Sequence, residues 1–305
     1  MAFETTTQDV IQGVDLGGHT AVVTGATTGL GRETARALAE TGAHVVVCGR
    51  TAEKCEAAMA AIREAAPDAS LEAQTFDLAD LATVRAGADA LLARHDRIDL
   101  LINNAGVMFT PPGTTVDGFE TQFGTNHLGH FVLTNRLLPA LVAAAPSRIV
   151  NLSSAGHFTS DVIWDDPNFE TTPYDKFNAY GQSKTANILF SVELDRRHAA
   201  SGVRANAVHP GMIMTDLARH MGPDDMTELR DRASKRTGPG LPDFKSVEQG
   251  AATSVWVAVS DEMADVGGQY CEDASVSTPA PYAVDVDAAA RLWAMSEAFV
   301  GETFG

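Results

Sequence analysis

Tyr180 and Lys184 place a phenol and an ammonium at i and i+4, on one face of any helix that spans them. A free tyrosine titrates at about pH 10, too high for a base at neutral pH, and a nearby ammonium favours its phenolate. Such a pair can give and take a proton at a reacting oxygen. With four Tyr and five Lys in 305 residues the spacing is uncommon by chance, although taken alone it also describes a solvated surface pair. A second signal is Thr24-Gly-Ala-Thr-Thr-Gly-Leu-Gly31, with glycines at 25, 29 and 31. Glycine lets a turn tighten and a backbone approach a pyrophosphate, whose charge a helix N-terminus meets. Alone, the segment is equally a tight loop; placed between a strand and a helix, it is where an α/β sheet holds a dinucleotide.

The elements that must carry these groups alternate. Thr20–Thr24, His44–Gly49, Leu71–Phe76, Ile98–Ile102, Arg148–Leu152, Arg204–Val208 and Gly267–Cys271 read as strands. Between them, Arg32–Thr41, Ala52–Ala65, Leu81–Arg94 and the stretches 117–143, 176–200 and 247–260 read as helices. This rhythm predicts a single-domain α/β fold: a doubly wound, Rossmann-type parallel sheet of about seven strands with helices on both faces. A polar arm spans residues 1–17 and the domain 18–305, with no linker or charge block dividing it. Residues 156–178 and 214–246 break the rhythm with Pro167, Pro173, Pro223, Gly238-Pro239-Gly240 and Pro242. Both follow carboxyl ends of strands, where such sheets bind ligands, so they are candidate substrate loops.

Composition excludes several classes. A net charge of −18, with 40 acidic against 22 basic residues, leaves no basic face for nucleic acid. Neither an apolar run of about 18 residues nor a secretory signal is present, so no membrane anchor is expected and the chain is assigned to the cytoplasm. Cys48, Cys55 and Cys271 are odd in number and lack metal-ligand spacing, which fits a reducing compartment. His127 and His130 stand three apart on a predicted helix, with His157 and His220 in the loops, but no third ligand joins them at useful spacing, and no metal site is expected.

Taken together, the glycine turn, Asn103-Asn-Ala-Gly106, Ser153-Ser154, Tyr180 with Lys184, and His209-Pro-Gly211 resemble the short-chain dehydrogenase/reductase family in order and spacing. Asn126-His-Leu-Gly-His-Phe131, Ala179-Tyr-Gly-Gln-Ser-Lys-Thr-Ala-Asn187 and Arg291-Leu-Trp-Ala-Met-Ser-Glu297 are similar to its retinol dehydrogenase-like and WW-domain oxidoreductase-like branch. The resemblance implies Tyr180 as proton donor and acceptor, helped by Lys184 and a cationic nicotinamide. It also implies that Lys184 binds the nicotinamide ribose, that Ser154 holds the substrate oxygen, and that Asn126 anchors a water of the proton path. Ser154 matches the family pattern better than Ser153, because Ala-Gly follows it.

Cofactor contacts are implied likewise at Gly25, Thr27, Thr28, Gly29, Leu30 and Gly31 in the glycine turn. Asp77 and Leu78 would hold the adenine, Asn104, Ala105 and Gly106 the riboses, and Pro210, Gly211, Ile213 and Thr215 the nicotinamide. An NAD site ends its second strand on a carboxylate, whereas a 2′-phosphate needs a cation. Here Gly49 stands in the acid's place and Arg50 follows, with Thr51 as a second donor, so NADP(H) is favoured and NAD(H) remains usable. The activity implied is hydride transfer between NADP(H) and an alcohol or carbonyl compound. Two alternatives share the fold: a sugar-nucleotide epimerase or dehydratase, and a cofactor-sensing protein without catalysis. Phe158, Trp164, Phe169, Tyr174, Phe177, Met212, Met214, Leu217 and Met221 are either a wall for a bulky apolar substrate or loop-anchoring core. A homodimer or homotetramer pairing the helices near 117–143 and 176–200 is expected by analogy.

Overall fold

The computed structural model describes residues 3–222, 224–237 and 243–304; Pro223, Gly238-Pro239-Gly240 and Pro242 of the second candidate loop lie outside the described residues. The chain runs α1 (Thr7–Val10), β1 (Thr20–Thr24), α2 (Gly29–Glu40), β2 (His44–Gly49), α3 (Ala52–Ala65), β3 (Leu71–Thr75), α4 (Leu81–Leu92) and β4 (Leu100–Asn103). It continues through α5 (Thr121–Phe123), α6 (Gly129–Ala143), β5 (Ser147–Leu152), α7 (Lys176–His198) and β6 (Val203–Val208). The last elements are α8 (Asp225–Thr237), α9 (Val247–Val259), β7 (Tyr270–Glu272), β8 (Ser275–Ser277) and α10 (Val286–Val300).

All strands form one sheet in the order β3-β2-β1-β4-β5-β6-β7-β8. Neighbours pair in parallel as far as β7, and β8 adds antiparallel to β7. The sheet thus has eight strands where about seven were expected. Asp273 and Ala274 join β7 to β8 with φ of 51° and 49°, the two left-handed residues of a hairpin turn whose twist suits its strands. Glycine or asparagine usually marks that turn, and neither is present.

The strands are apolar because both faces are covered. Val22, Val46, Leu101 and Ile149 pack with α4, α6, α7 and α10 on one side; Val23, Val45, Ile102 and Val150 pack with α2, α3 and α9 on the other. The arm is folded onto the second face: Thr6 and Asp9 form a capping box for α1, and Val10 and Ile11 are buried in that core. Strand order reverses between β1 and β4, which opens a crevice at the carboxyl ends of the strands, the ligand site of this architecture. Among the described residues no helix is long and apolar enough to cross a membrane.

Candidate active site

A single groove of about 1740 Å³ follows that crevice. Its volume exceeds the roughly 300–1,000 Å³ of a one-ligand pocket, leaving space for a dinucleotide and a second molecule. The glycine turn forms its floor. A Cβ at Gly25, where φ is 61°, would lie 2.8 Å from Ala105 Cα, and one at Gly31 would lie 2.4 Å from Gly25 O, so only glycine lets the turns after β1 and β4 interlock. Thr28 precedes α2 without a side-chain cap, which leaves the helix's first amides to face a ligand. Thr24 Oγ1 accepts from the amides of Asn104 (2.9 Å) and Ala105 (3.0 Å), while Asn104 Nδ2 donates to Thr24 O (2.8 Å).

Thr27, Thr28, Gly29, Leu30, Asp77, Leu78, Asn104, Ala105, Gly106, Pro210, Gly211, Ile213 and Thr215 all line the groove, as does Arg50. Thr51 does not: its hydroxyl accepts from Lys54 N (3.4 Å) and caps α3, an arrangement dictated by its place before the helix. Arg32 and Lys54, which sequence reasoning passed over, stand with Arg50 at this end. Among the described residues these three, like Arg63 elsewhere, have no ion pair or side-chain hydrogen bond; most other cations in this acidic chain are partnered. The signal available in the sequence was spacing: Arg32 follows the last glycine of the turn, and Lys54 lies one helical turn after Arg50.

The far end holds the residues expected to react. α7 carries Tyr180 and Lys184, exposed only 5% and 4%. Asp175 caps α7 by accepting from the amides of Phe177 (2.8 Å) and Asn178 (3.0 Å). Ser154 ends the turn after β5, accepts from Gly156 N (3.0 Å) and hydrogen-bonds the Tyr180 phenol. Ser153 instead donates its hydroxyl to Lys184 O (2.8 Å), a structural contact that separates the two serines. Asn126 lies in a π-helical turn, Gly124–Leu128, between α5 and α6, a distortion often found at functional sites. Its amide accepts from Val107 N (2.8 Å) and donates to Val107 O (3.0 Å) and Ser183 Oγ (2.9 Å), locking the loop after β4 to α7. A Cβ on Gly106 would sit 3.1 Å from Asn126 Oδ1 and 3.7 Å from Lys184 Nζ, so glycine keeps this space clear.

In the free chain burial dominates the pair that Lys184 and a cationic nicotinamide are expected to shift toward the phenolate. Burial pushes Tyr180 up to about 12, with Ser154's hydrogen bond opposing, and burial pushes Lys184 down to about 8. The ammonium donates to Leu152 O (3.0 Å) and stands 5.5 Å from the phenol ring centroid. Both groups are desolvated together, and in the free chain that outweighs their attraction.

His130 and His127 are core residues. His130 bonds Asn126 O through Nδ1 (2.9 Å) and Thr24 Oγ1 through Nε2 (2.9 Å), and burial lowers it to about 4. His127 reaches Ser296 Oγ (2.8 Å), and burial lowers it to about 3. Neutral imidazoles here tie the π turn to β1 and to α10.

The aromatic and methionine residues divide. Phe158, Phe177, Met212, Met214, Leu217 and Met221 line the groove, joined by Met108, Phe109, Met226 and Leu229. Trp164, Phe169 and Tyr174 do not: Trp164 packs on the core beneath Arg291, and Phe169 meets Tyr174 edge to face at 5.2 Å. Phe109 holds a φ of 53°, its amide bonded to Gln122 Oε1 (2.8 Å), and sets its ring 5.3 Å from that of Tyr180.

Human retinol dehydrogenase 13 is 47% identical over 285 residues, covering 93% of this chain and 85% of that protein. An uncharacterized protein from Mycobacterium paratuberculosis is 35% identical, with a TM-score of 0.78 over 99% of both chains. RhlG of Pseudomonas aeruginosa, solved as an NADP active-site complex, is 28% identical with a TM-score of 0.64 over 84% of this chain and 94% of that one. The family model for short chain dehydrogenase matches residues 19–225, and this chain belongs to that family.

Proposed function

We propose that the protein transfers hydride between NADP(H) and a bulky, apolar alcohol or carbonyl compound, with NAD(H) as a weaker cofactor. The observation that carries this reading is one continuous groove with three unpartnered cations at one end and the buried Tyr180–Ser154 pair with Lys184 at the other. Arg50, with Arg32 and Lys54, would hold the 2′-phosphate; the first turn of α2 would face the pyrophosphate; Lys184 would bind the ribose and Thr215 the carboxamide. The bound nicotinamide supplies or accepts the hydride. Tyr180 keeps its proton at neutral pH and donates it to a carbonyl oxygen that Ser154 also holds, so carbonyl reduction is the direction the free chain is protonated for. Asn126 fixes the wall behind Lys184 and, through its turn, the route by which a water replaces the proton.

Small molecules are the partners. Three free, buried cysteines support a reducing compartment such as the cytoplasm, and the net charge of −18 argues against nucleic acid as a partner. The experiment is to titrate NADPH and NADH into wild type and Arg50→Ala. A guanidinium makes charge-assisted bonds of roughly 1.5–3 kcal/mol each to a phosphate, so the NADPH dissociation constant should rise on the order of 10- to 150-fold while NADH hardly changes. Equal weakening of both would remove the 2′-phosphate role.

A further inference from the structure

At the opposite end of the sheet, His44, Glu72 and His95 meet. His44 opens β2, Glu72 lies in the edge strand β3 opposite Val46, and His95 follows α4. Because side chains alternate along a strand, His44, Val46 and Glu72 share one face, the one against which α4 packs. His44 Nε2 lies 3.3 Å from Glu72 Oε2, and His95 Nε2 lies 3.0 Å from the same oxygen. All three atoms fall within 4.8 Å of one another.

A tetrahedral zinc ion with bonds of about 2.0–2.1 Å holds neighbouring ligand atoms about 3.3 Å apart. Two edges of the triangle thus already have the needed length, and only the two Nε2 atoms must close together. The surrounding contacts orient each ligand. Arg94 Nε holds the other oxygen, Glu72 Oε1 (2.6 Å), and its Nη2 holds Gln74 Oε1 (2.6 Å), leaving Oε2 as a fixed single donor. His44 Nδ1 bonds Ser70 Oγ (2.8 Å), the outer hydrogen bond that fixes a ligating imidazole with Nε2 toward the ion. Side-chain exposures of 31% for His44, 24% for Glu72 and 12% for His95 leave an entry path and room for water. Two imidazoles and one carboxylate suit a borderline cation such as zinc, whereas magnesium and calcium take oxygen donors.

We propose that His44, Glu72 and His95 bind one zinc-type divalent cation per chain, with water completing its coordination, and that the ion ties the end of α4 to the edge of the sheet. On binding, the proton of an imidazole Nε2 moves to Nδ1, where at His44 the Ser70 hydroxyl accepts it. The Arg94 guanidinium repels the ion, so the affinity falls short of a closed structural site and lies in the micromolar range. The site stands on the order of 13 Å from the groove, four residue steps along β2 from His44 to Cys48, and its role is structural.

The test uses tag-free, full-length protein stripped with a chelator and titrated with zinc chloride against a chromophoric competitor, with thermal melts in parallel. Wild type should bind one equivalent and melt higher, magnesium chloride should do neither, and His95→Ala and Glu72→Gln should each weaken zinc at least tenfold and abolish the rise in Tm. His44→Gln, which keeps a partner for Ser70, gives the same readout if either of those variants folds poorly. NADPH binding should stay at the wild-type level in each folded variant. No bound zinc at about 100 µM in wild type, or an equivalent retained by all three variants, overturns the proposal.

Discussion

At the scale of single residues the site rests on two desolvated groups whose protonation states are set by burial. Removing the ionisable oxygen with Tyr180→Phe should lower turnover roughly 100- to 10,000-fold, the usual contribution of a positioned proton donor, and leave the NADPH dissociation constant nearly unchanged. Wild-type rates in that variant would take proton transfer away from Tyr180. Lys184 makes a complementary case. Its folded value of about 8 lies below the 10.5 of a free lysine, so below pH 8 the chain bears the whole cost of a buried charge, about 3 kcal/mol. As pH rises from about 8 to 10.5 the unfolded chain holds the proton that the folded chain has released, and the cost disappears. Lys184→Met should therefore melt higher than wild type at pH 7, by an amount that shrinks toward pH 10, while losing turnover and NADPH affinity. Asn187 Nδ2 still donates to Leu152 O (2.9 Å), so that carbonyl keeps a partner. A variant less stable at pH 7 would mean that the ammonium's contact with Leu152 O outweighs its desolvation.

At the scale of elements, α7 is the spine of the site and α8 its cover. α8 is held across the start of α7 by reciprocal ion pairs: Arg232 Nη2 to Asp175 Oδ2 (2.8 Å) and Lys176 Nζ to Asp225 Oδ1 (2.5 Å). Arg232 also donates to Asn178 Oδ1 (3.1 Å) and lies 4.6 Å over the Phe177 ring. Asp175 is at once the cap of α7 and the anchor of α8, so one carboxylate couples the helix that carries Tyr180 and Lys184 to the groove's cover. These pairs are partly exposed, which limits each to about 1 kcal/mol. Arg232→Ala should thus raise KM for a bulky carbonyl substrate about fivefold with kcat within a factor of about two. A fall in kcat with KM unchanged would instead place Arg232 in the chemistry.

At the scale of the whole molecule, α7 is enclosed by its own chain. From Ala179 to Asp195 every residue but Val192 is buried, with α5 and the π turn on one flank and α10 on another. Trp293 of α10 sets its ring edge-on to Phe131 at 5.1 Å and tilted to Phe190 at 5.9 Å, and Arg197 lies 4.2 Å over it. Glu302, just past α10, pairs with Arg136 of α6 (2.9 Å) and with Arg85 of α4. A stable two-fold interface needs about 800 Å² from each partner, and α7 has little surface left to give. Self-association through α7 is accordingly not expected, and substituting its exposed Arg196 should leave the mass seen by light scattering after size exclusion unchanged. A dimer that dissociates on substitution of an α7 residue would overturn this.

Local signals made much of the fold readable. β1, β2 and α3 end at the expected residues because short β-branched runs stop at glycine and Thr51 stands as a cap before an apolar period. The placing of Tyr180 and Lys184 on one helix face, and of the glycines between β1 and α2, followed from spacing alone. Long-range packing decided the rest. β8 forms because Asp273 and Ala274 accept left-handed backbone in a sheet that rewards one more strand, and no glycine announces it. The helix expected over 117–143 opens instead into a π turn where Asn126 must reach Val107 and Ser183 at once. Tyr180 keeps its proton because residues distant in sequence remove its water, and Arg32 joins Arg50 and Lys54 only when β1 and β2 lie side by side. Spacing along a helix or strand is a property of neighbours and is written in the sequence; desolvation and convergence are sums over the whole fold, and only the tertiary structure sets them.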